Sequence, residues 1–154
     1  MKRTAFIIGL FCLLGIVSCH SDKKNSALMT RDFLPTGWER FDFIKNELEI
    51  DKPTTYNLTM EATFDNSYPF DYISVVFSVF DNEENPLRSK SYKFSLKDND
   101  GRWQSELKDG LYKFTFPINS EMSFNDPGKY ILQLENRMPI TPLVGIHHLS
   151  MVAN

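Results

Sequence analysis

Chemically versatile side chains are scarce in this 154-residue chain, which has two cysteines and three histidines. Neither G-x-S-x-G nor H-E-x-x-H occurs, so the nucleophile elbow of α/β-hydrolases and the zinc-protease helix are both excluded. Basic charge is not in excess: 17 Lys and Arg face 20 Asp and Glu, a formal net charge of −3. Lys2 and Arg3 sit at the N-terminus, so the body behind them is more acidic still, which excludes a nucleic-acid-binding surface. No sustained amphipathic helical pattern, internal repeat or low-complexity tract is present. The longest apolar run, Ala5–Val17 (AFIIGLFCLLGIV), would be roughly 20 Å long as a helix, short of the hydrocarbon core of a bilayer.

That run is where the positive signals begin. Preceded by Met1-Lys2-Arg3, it reads as the apolar region of a secretory signal peptide. Ile16-Val17-Ser18-Cys19 then places an aliphatic residue three before a Cys and a small residue directly before it. This resembles the lipobox of bacterial lipoproteins. The resemblance implies cleavage between Ser18 and Cys19 and acylation of Cys19, with two or three chains holding the protein where one would bind only marginally. A plain signal peptide with Cys19 incidental is the alternative. Cysteine arithmetic favours lipid: Cys12 leaves with the leader, and Cys19 would otherwise be a lone thiol in an exported protein. The expected organisation is a signal peptide at 1–18, a lipidated polar tether at 19–30 and one folded domain at 31–154.

Downstream the dominant period is two. Tyr56, Leu58, Met60, Ala62 and Phe64 alternate with polar residues, as in a strand with one buried and one wet face. The same alternation recurs around Tyr92–Leu96, Tyr112–Phe116 and Tyr130–Leu134. Ile73–Phe80 (ISVVFSVF) is heavier, as expected for a mid-sheet strand covered on both sides. Trp38–Ile44 and Ile146–Val152 complete about eight strands. Turn signals separate them: Asp51-Lys52-Pro53, Asn66–Pro69, Asp81–Pro86, Asp98–Gly101, Lys108-Asp109-Gly110 and Asn125–Gly128. Asn and Asp bond to their own turns, Pro presets φ and Gly accepts positive φ. The fold class is therefore all-β, a single antiparallel sandwich of jelly-roll or immunoglobulin-like type.

Candidate chemistry is thin. His147 and His148 are neighbours on a strand and so point to opposite faces, which suits a structural role, one toward the core edge and one toward water, better than a shared metal. His20 belongs to the tether. Asp98-Asn99-Asp100-Gly101 only partly meets the calcium-loop spacing and lacks its distal Glu, and Asp81–Glu84 likewise reads as a turn. Asn57-Leu58-Thr59 matches a glycosylation tripeptide but falls in a strand. Trp38 and Trp103, with Tyr68 and Tyr72, are candidate platforms for stacking on a sugar. No catalysis, metal or cofactor is expected.

The order of landmarks resembles the gliding motility-associated lipoprotein GldH family. Tyr56-Asn57-Leu58, Tyr68-Pro69-Phe70, Asp100-Gly101-Arg102-Trp103, Phe124 through Pro127-Gly128-Lys129-Tyr130, Arg137-Met138, Pro142-Leu143 and Gly145-Ile146 follow in its sequence. The chain departs from the family at Arg88–Ser91, Gln104–Glu106 and His147–Ser150. The resemblance implies a non-enzymatic accessory lipoprotein of the gliding apparatus and its associated protein-secretion machinery, held in the outer membrane, with envelope proteins as partners and a surface carbohydrate-binding lipoprotein as the alternative. Arg137 and Met138 join Trp38 and Trp103 as candidate binding positions. Surface-exported lipoproteins of these bacteria carry an acidic signal after the Cys; here Asp22 is followed by Lys23 and Lys24, which points to the periplasmic face.

Overall fold

The period-two pattern becomes nine antiparallel strands in two sheets, and the computed structural model describes residues 26–154. The strands are β1 (Ser26–Asp32), β2 (Ile44–Ile50), β3 (Thr54–Phe64), β4 (Tyr72–Asp81), β5 (Pro86–Ser95), β6 (Leu107–Lys108), β7 (Leu111–Phe124), β8 (Gly128–Asn136) and β9 (Ile146–Ala153). One sheet runs β1-β9-β3-β7-β6 and the other β2-β8-β4-β5. The pairs β4 with β5, β3 with β7, β2 with β8 and β1 with β9 nest inside one another. This is jelly-roll order, which decides between the two sandwich types expected.

The inward rows of the two sheets make one core. Leu58, Met60, Ala62 and Phe64 of β3 meet Ile73, Val75, Phe77 and Val79 of β4 across the interior, all buried. As expected, β4 lies mid-sheet, between β8 and β5. Its outer face is not covered by another layer: Tyr72, Ser74, Val76 and Phe80 stay half-buried. Ser78 and Ser89 join hydroxyls across β4 and β5 at 2.9 Å there.

Three expectations need correction. Residues 26–30, assigned to the tether, form most of β1, and both Leu28 and Met29 are buried. A bulge between Ala27 and Met29 rephases the strand, so the period-two signal that would have revealed it is broken. Trp38–Ile44 is not a strand: Trp38 makes a single bridge to Leu143, and the strand is Ile44–Ile50. The aromatic density of 38–43 serves a loop, not a ladder. Finally, β7 runs on from Phe116 to Phe124, through Pro117, where the pairing with β3 shifts register. Pro lacks the N–H that a regular ladder needs, so an irregular stretch near a sheet edge is where it fits.

The flanks of the sandwich are closed differently. On one, the Asn46 side chain donates to the Leu28 carbonyl, stitching β2 to β1, and Arg31 pairs with Asp42 in the loop that leads into β2. On the other, rings from β5 and β7 interleave: Phe94 stacks on Phe116 at 4.5 Å, and the Tyr92 hydroxyl donates to the Ile118 carbonyl at 2.8 Å. Arg88 and Lys90 share the inward side of β5 with Tyr92 and Phe94. Inward charges on an edge strand discourage unwanted strand addition.

The two ends also differ. Short turns at 51–53, 82–85 and 125–127 lie at the end where β1 begins and β9 finishes. Long loops at 33–43, 65–71, 96–106 and 137–145 build the other end. The tight Asp109-Gly110 hairpin there has φ of 52° and 80°, as a type I′ turn requires. Gly145 has φ of 75°, and a Cβ on it would collide with the Tyr68 backbone and Ser67 Oγ. Gly145→Ala is therefore expected to cost about 2–4 kcal/mol. Gly110→Ala, at φ of 80° with nothing within 4 Å of its Cβ position, should cost only about 1 kcal/mol. Urea unfolding midpoints measure both, and equal losses would contradict the packing argument.

Candidate functional site

The long-loop end is organised around Trp38, whose side chain is fully buried. Its indole Nε1 donates to the Asp42 carbonyl at 2.7 Å, and its ring packs on Phe33 at 5.2 Å. Its backbone exchanges two hydrogen bonds with Leu143, at 3.1 and 2.9 Å. The Trp38 carbonyl also accepts from Nδ2 of the buried Asn136 at 3.0 Å. Asn136 Oδ1 in turn accepts from the Met138 backbone N–H at 2.9 Å. One Trp and one Asn thus clasp loop 33–43 to loop 137–145.

This placement overturns two expected binding residues. Trp38 offers no face to a sugar because a loop residue with an indole N–H is best satisfied when buried against carbonyls. Met138 is fully buried too, its Sδ 3.1 Å from the Ser74 nitrogen. Trp103 is half-buried and engaged: Tyr112 stacks on it at 4.2 Å and 11°, and Lys97 Nζ sits 4.8 Å from its centre. No ring pair joins the two Trp residues, so they form no common platform. Tyr68 is buried as well, and its hydroxyl, donated to the Tyr72 carbonyl at 2.9 Å, has its pKa raised by burial.

Arg137 is the candidate that remains exposed. It donates to Glu135 at 3.0 Å and, with Arg40, Tyr72, Asn136, Met138 and Pro139, lines a cavity of about 310 Å³. Arg40 was not anticipated from the sequence, where it is one charge in an aromatic loop. It reaches the Met138 and Pro139 carbonyls at 2.7 and 3.1 Å, bracing the second loop from the first. On the rim of the same two loops stand Leu34, Phe41, Ile140 and Val144, four of the six exposed large hydrophobic side chains among the described residues. Phe41 is 79% and Ile140 64% accessible.

The histidines are both partly exposed, at 45% and 37% of the side chain, so neither turns to the core edge as expected. Each holds a carboxylate: His147 Nε2 lies 2.6 Å from Asp65 Oδ2, and His148 Nδ1 lies 2.6 Å from Asp32 Oδ1. His148 Nε2 also faces Thr30 Oγ1 at 3.5 Å, an Asp–His–hydroxyl row. It lies on an open sheet face, with Asp32 88% exposed and the surrounding backbone committed to β1–β9 pairing. Donors for a developing oxyanion are therefore not on offer there. Asp81 and Asp98 spend their carboxylates on their own turns, accepting backbone N–H groups of Glu83 and Asn85, and of Asp100 and Arg102. Among the described residues no three His, Cys, Asp or Glu side chains gather as a metal site.

A family model described as GldH lipoprotein matches residues 29–151. The chain belongs to the GldH lipoprotein family. It is thus a membrane-anchored lipoprotein of the gliding-motility-associated class, and the resemblance carried by the order of short motifs is correct. Among solved structures, this GldH-family chain is similar to a crystallised protein of Sulfurospirillum deleyianum at 10% identity and TM-score 0.39, over 80% of this chain and 95% of that one. It is also similar to a structure described as a CBM4, at 9% identity and TM-score 0.35, over 81% of this chain and 67% of the other. At these values neither likeness carries an argument. No curated protein matches the sequence. Ser18 and Cys19, the proposed cleavage and lipidation positions, lie outside the described residues.

Asp65 gives the site a pH signature. Burial pushes its carboxyl upward, but hydrogen bonds from His147 and Ser67 and the attraction of His147 outweigh that and hold it below its ordinary 3.8. A carboxyl with a lowered folded pKa stabilises the protein above its unfolded pKa, and that contribution is lost as pH falls through the folded value. Asp65→Asn should therefore cost about 1 kcal/mol at pH 7 and progressively less below about pH 4. Urea unfolding of both proteins across pH 2.5–7 tests this, and a constant difference would contradict it.

Proposed function

We propose that this GldH-family lipoprotein is a non-enzymatic accessory or assembly component of the gliding and associated protein-secretion machinery. Acyl chains on Cys19 hold it in the outer membrane, and its jelly roll presents loops and edges to other envelope proteins. The observation that carries the reading is the Ile16-Val17-Ser18-Cys19 lipobox at the head of a GldH-family chain. It accounts for the single thiol left after cleavage and for the uncharged apolar run before it. Lys23 and Lys24, where an acidic export signal would stand, support the periplasmic face.

The described side chains fit this reading. Polar groups are committed to holding the fold: His147–Asp65 ties β9 to a loop, His148–Asp32 ties β9 to β1, the acidic turns cap themselves, and Asn136 clasps loops. The burial of Trp38 withdraws one of the two rings proposed for the carbohydrate-binding alternative, and half-buried Trp103 is partly covered by Tyr112, which favours the assembly reading.

Cys19→Ser should release the protein from the outer membrane or mislocalise it without lowering the unfolding midpoint of its body, since β1 begins only at Ser26. Fractionation with circular dichroism checks it, and normal membrane retention of the variant would defeat the proposal. On intact cells the wild-type protein should resist added protease, whereas after outer-membrane permeabilisation it should be cut.

A further inference from the structure

We propose that loops 33–43 and 137–145 form a rigid tip, held away from the bilayer, that docks an envelope polypeptide presenting apolar side chains next to a carboxylate. The orientation rests on the Cys19 anchor proposed above; the surface itself does not.

Orientation follows from the length of chain between the anchor and the fold. His20–Asn25 separate Cys19 from the start of β1, a reach of roughly 25 Å at full stretch. Ser26 pairs with Ala153, at the short-turn end. β9 leads from that end to the long loops, and its Ile146–Ala153 span is roughly 25 Å. Inverting the domain so that the loops meet the bilayer end-on would consume the whole tether. The long loops therefore face away from the membrane that holds Cys19, which removes its lipid as their occupant.

The chemistry of the tip selects the occupant. Leu34, Phe41, Ile140 and Val144 expose a concentration of apolar surface on two adjacent loops, the usual mark of an interaction site. These loops are already fixed through Trp38, Asn136 and Arg40, so little ordering entropy remains to be lost on binding. Beside them, Arg40 and Arg137 line the cavity; Arg40 commits one nitrogen to the Met138 and Pro139 carbonyls and Arg137 one to Glu135, so each guanidinium keeps further N–H donors. Guanidinium groups there match a carboxylate, and Arg next to an apolar anchor is the composition of a binding hot spot. Three of the four rim side chains are aliphatic and Phe41 pairs with no other ring among the described residues, a composition that suits a polypeptide better than a sugar, which stacks on flat rings. A two-fold contact between copies centred on this cavity would set the same guanidinium groups against each other.

The test places the photo-crosslinking amino acid p-benzoylphenylalanine at position 41, and separately at position 52, in the full acylated protein in intact cells. Irradiation should join a different polypeptide at position 41 and none at position 52. Ile140→Ser and Arg137→Glu should each lower the position-41 yield roughly tenfold, while Leu107→Ser, an exposed apolar residue elsewhere, should leave it unchanged. A self-adduct, a lipid or glycan adduct, equal yield at position 52, or indifference to Ile140→Ser would each overturn the proposal. Membrane fractionation of the same cells reports the anchor independently: release with the adduct intact faults the anchor, and retention without the adduct faults the tip.

Discussion

A sandwich of two sheets is closed along its strands by hydrogen bonds but open at its ends, and here one end is shut by a single clasp. The Trp38 carbonyl accepts from both Leu143 and Asn136, while the indole donates to Asp42. Loops 33–43 and 137–145 depend on that arrangement for their shape. Gly37, whose missing side chain leaves room for the Leu143 carbonyl, lets the loops approach this closely. Arg40 then braces Met138 and Pro139, and Asn136 orients Met138 into the core. Every exposed side chain on the rim inherits its position from buried polar bonds that would be costly to leave unmade.

Where alternation was regular, the fold was legible. β3, β4 and β8 each carry an apolar row on one face, and the turns between them announce themselves by Asn, Asp, Pro and Gly. What alternation could not reveal was any segment whose period is broken: β1, because its bulge buries Leu28 and Met29 in succession, and the far half of β7, because Pro117 sits at a register shift. Layer order came from neither. That β9 inserts between β1 and β3 is a long-range fact, and no local pattern encodes it.

The candidate site was legible in chemistry only at its margins. Trp38 drew notice as a large aromatic able to stack on a sugar, yet such a ring serves equally as a buried keystone, and only its burial separates the two. Arg137 was singled out and lines a cavity; its companion Arg40 is remote in sequence and is brought in by the clasp. Cys19 stands apart. Its local context in the leader is sufficient for a hypothesis because the lipobox is a short contiguous run of sequence.

On the proposed reading, the chain divides its work between its two ends: attachment by acyl chains next to β1, and recognition by loops at the opposite end of the core. The most direct test of this account is chemical crosslinking in intact envelopes, followed by purification of the acylated wild-type protein and identification of what is covalently joined to it. The account predicts polypeptide subunits of the gliding and secretion machinery in stoichiometric amounts. Recovery of glycan alone, with no polypeptide joined, would contradict it.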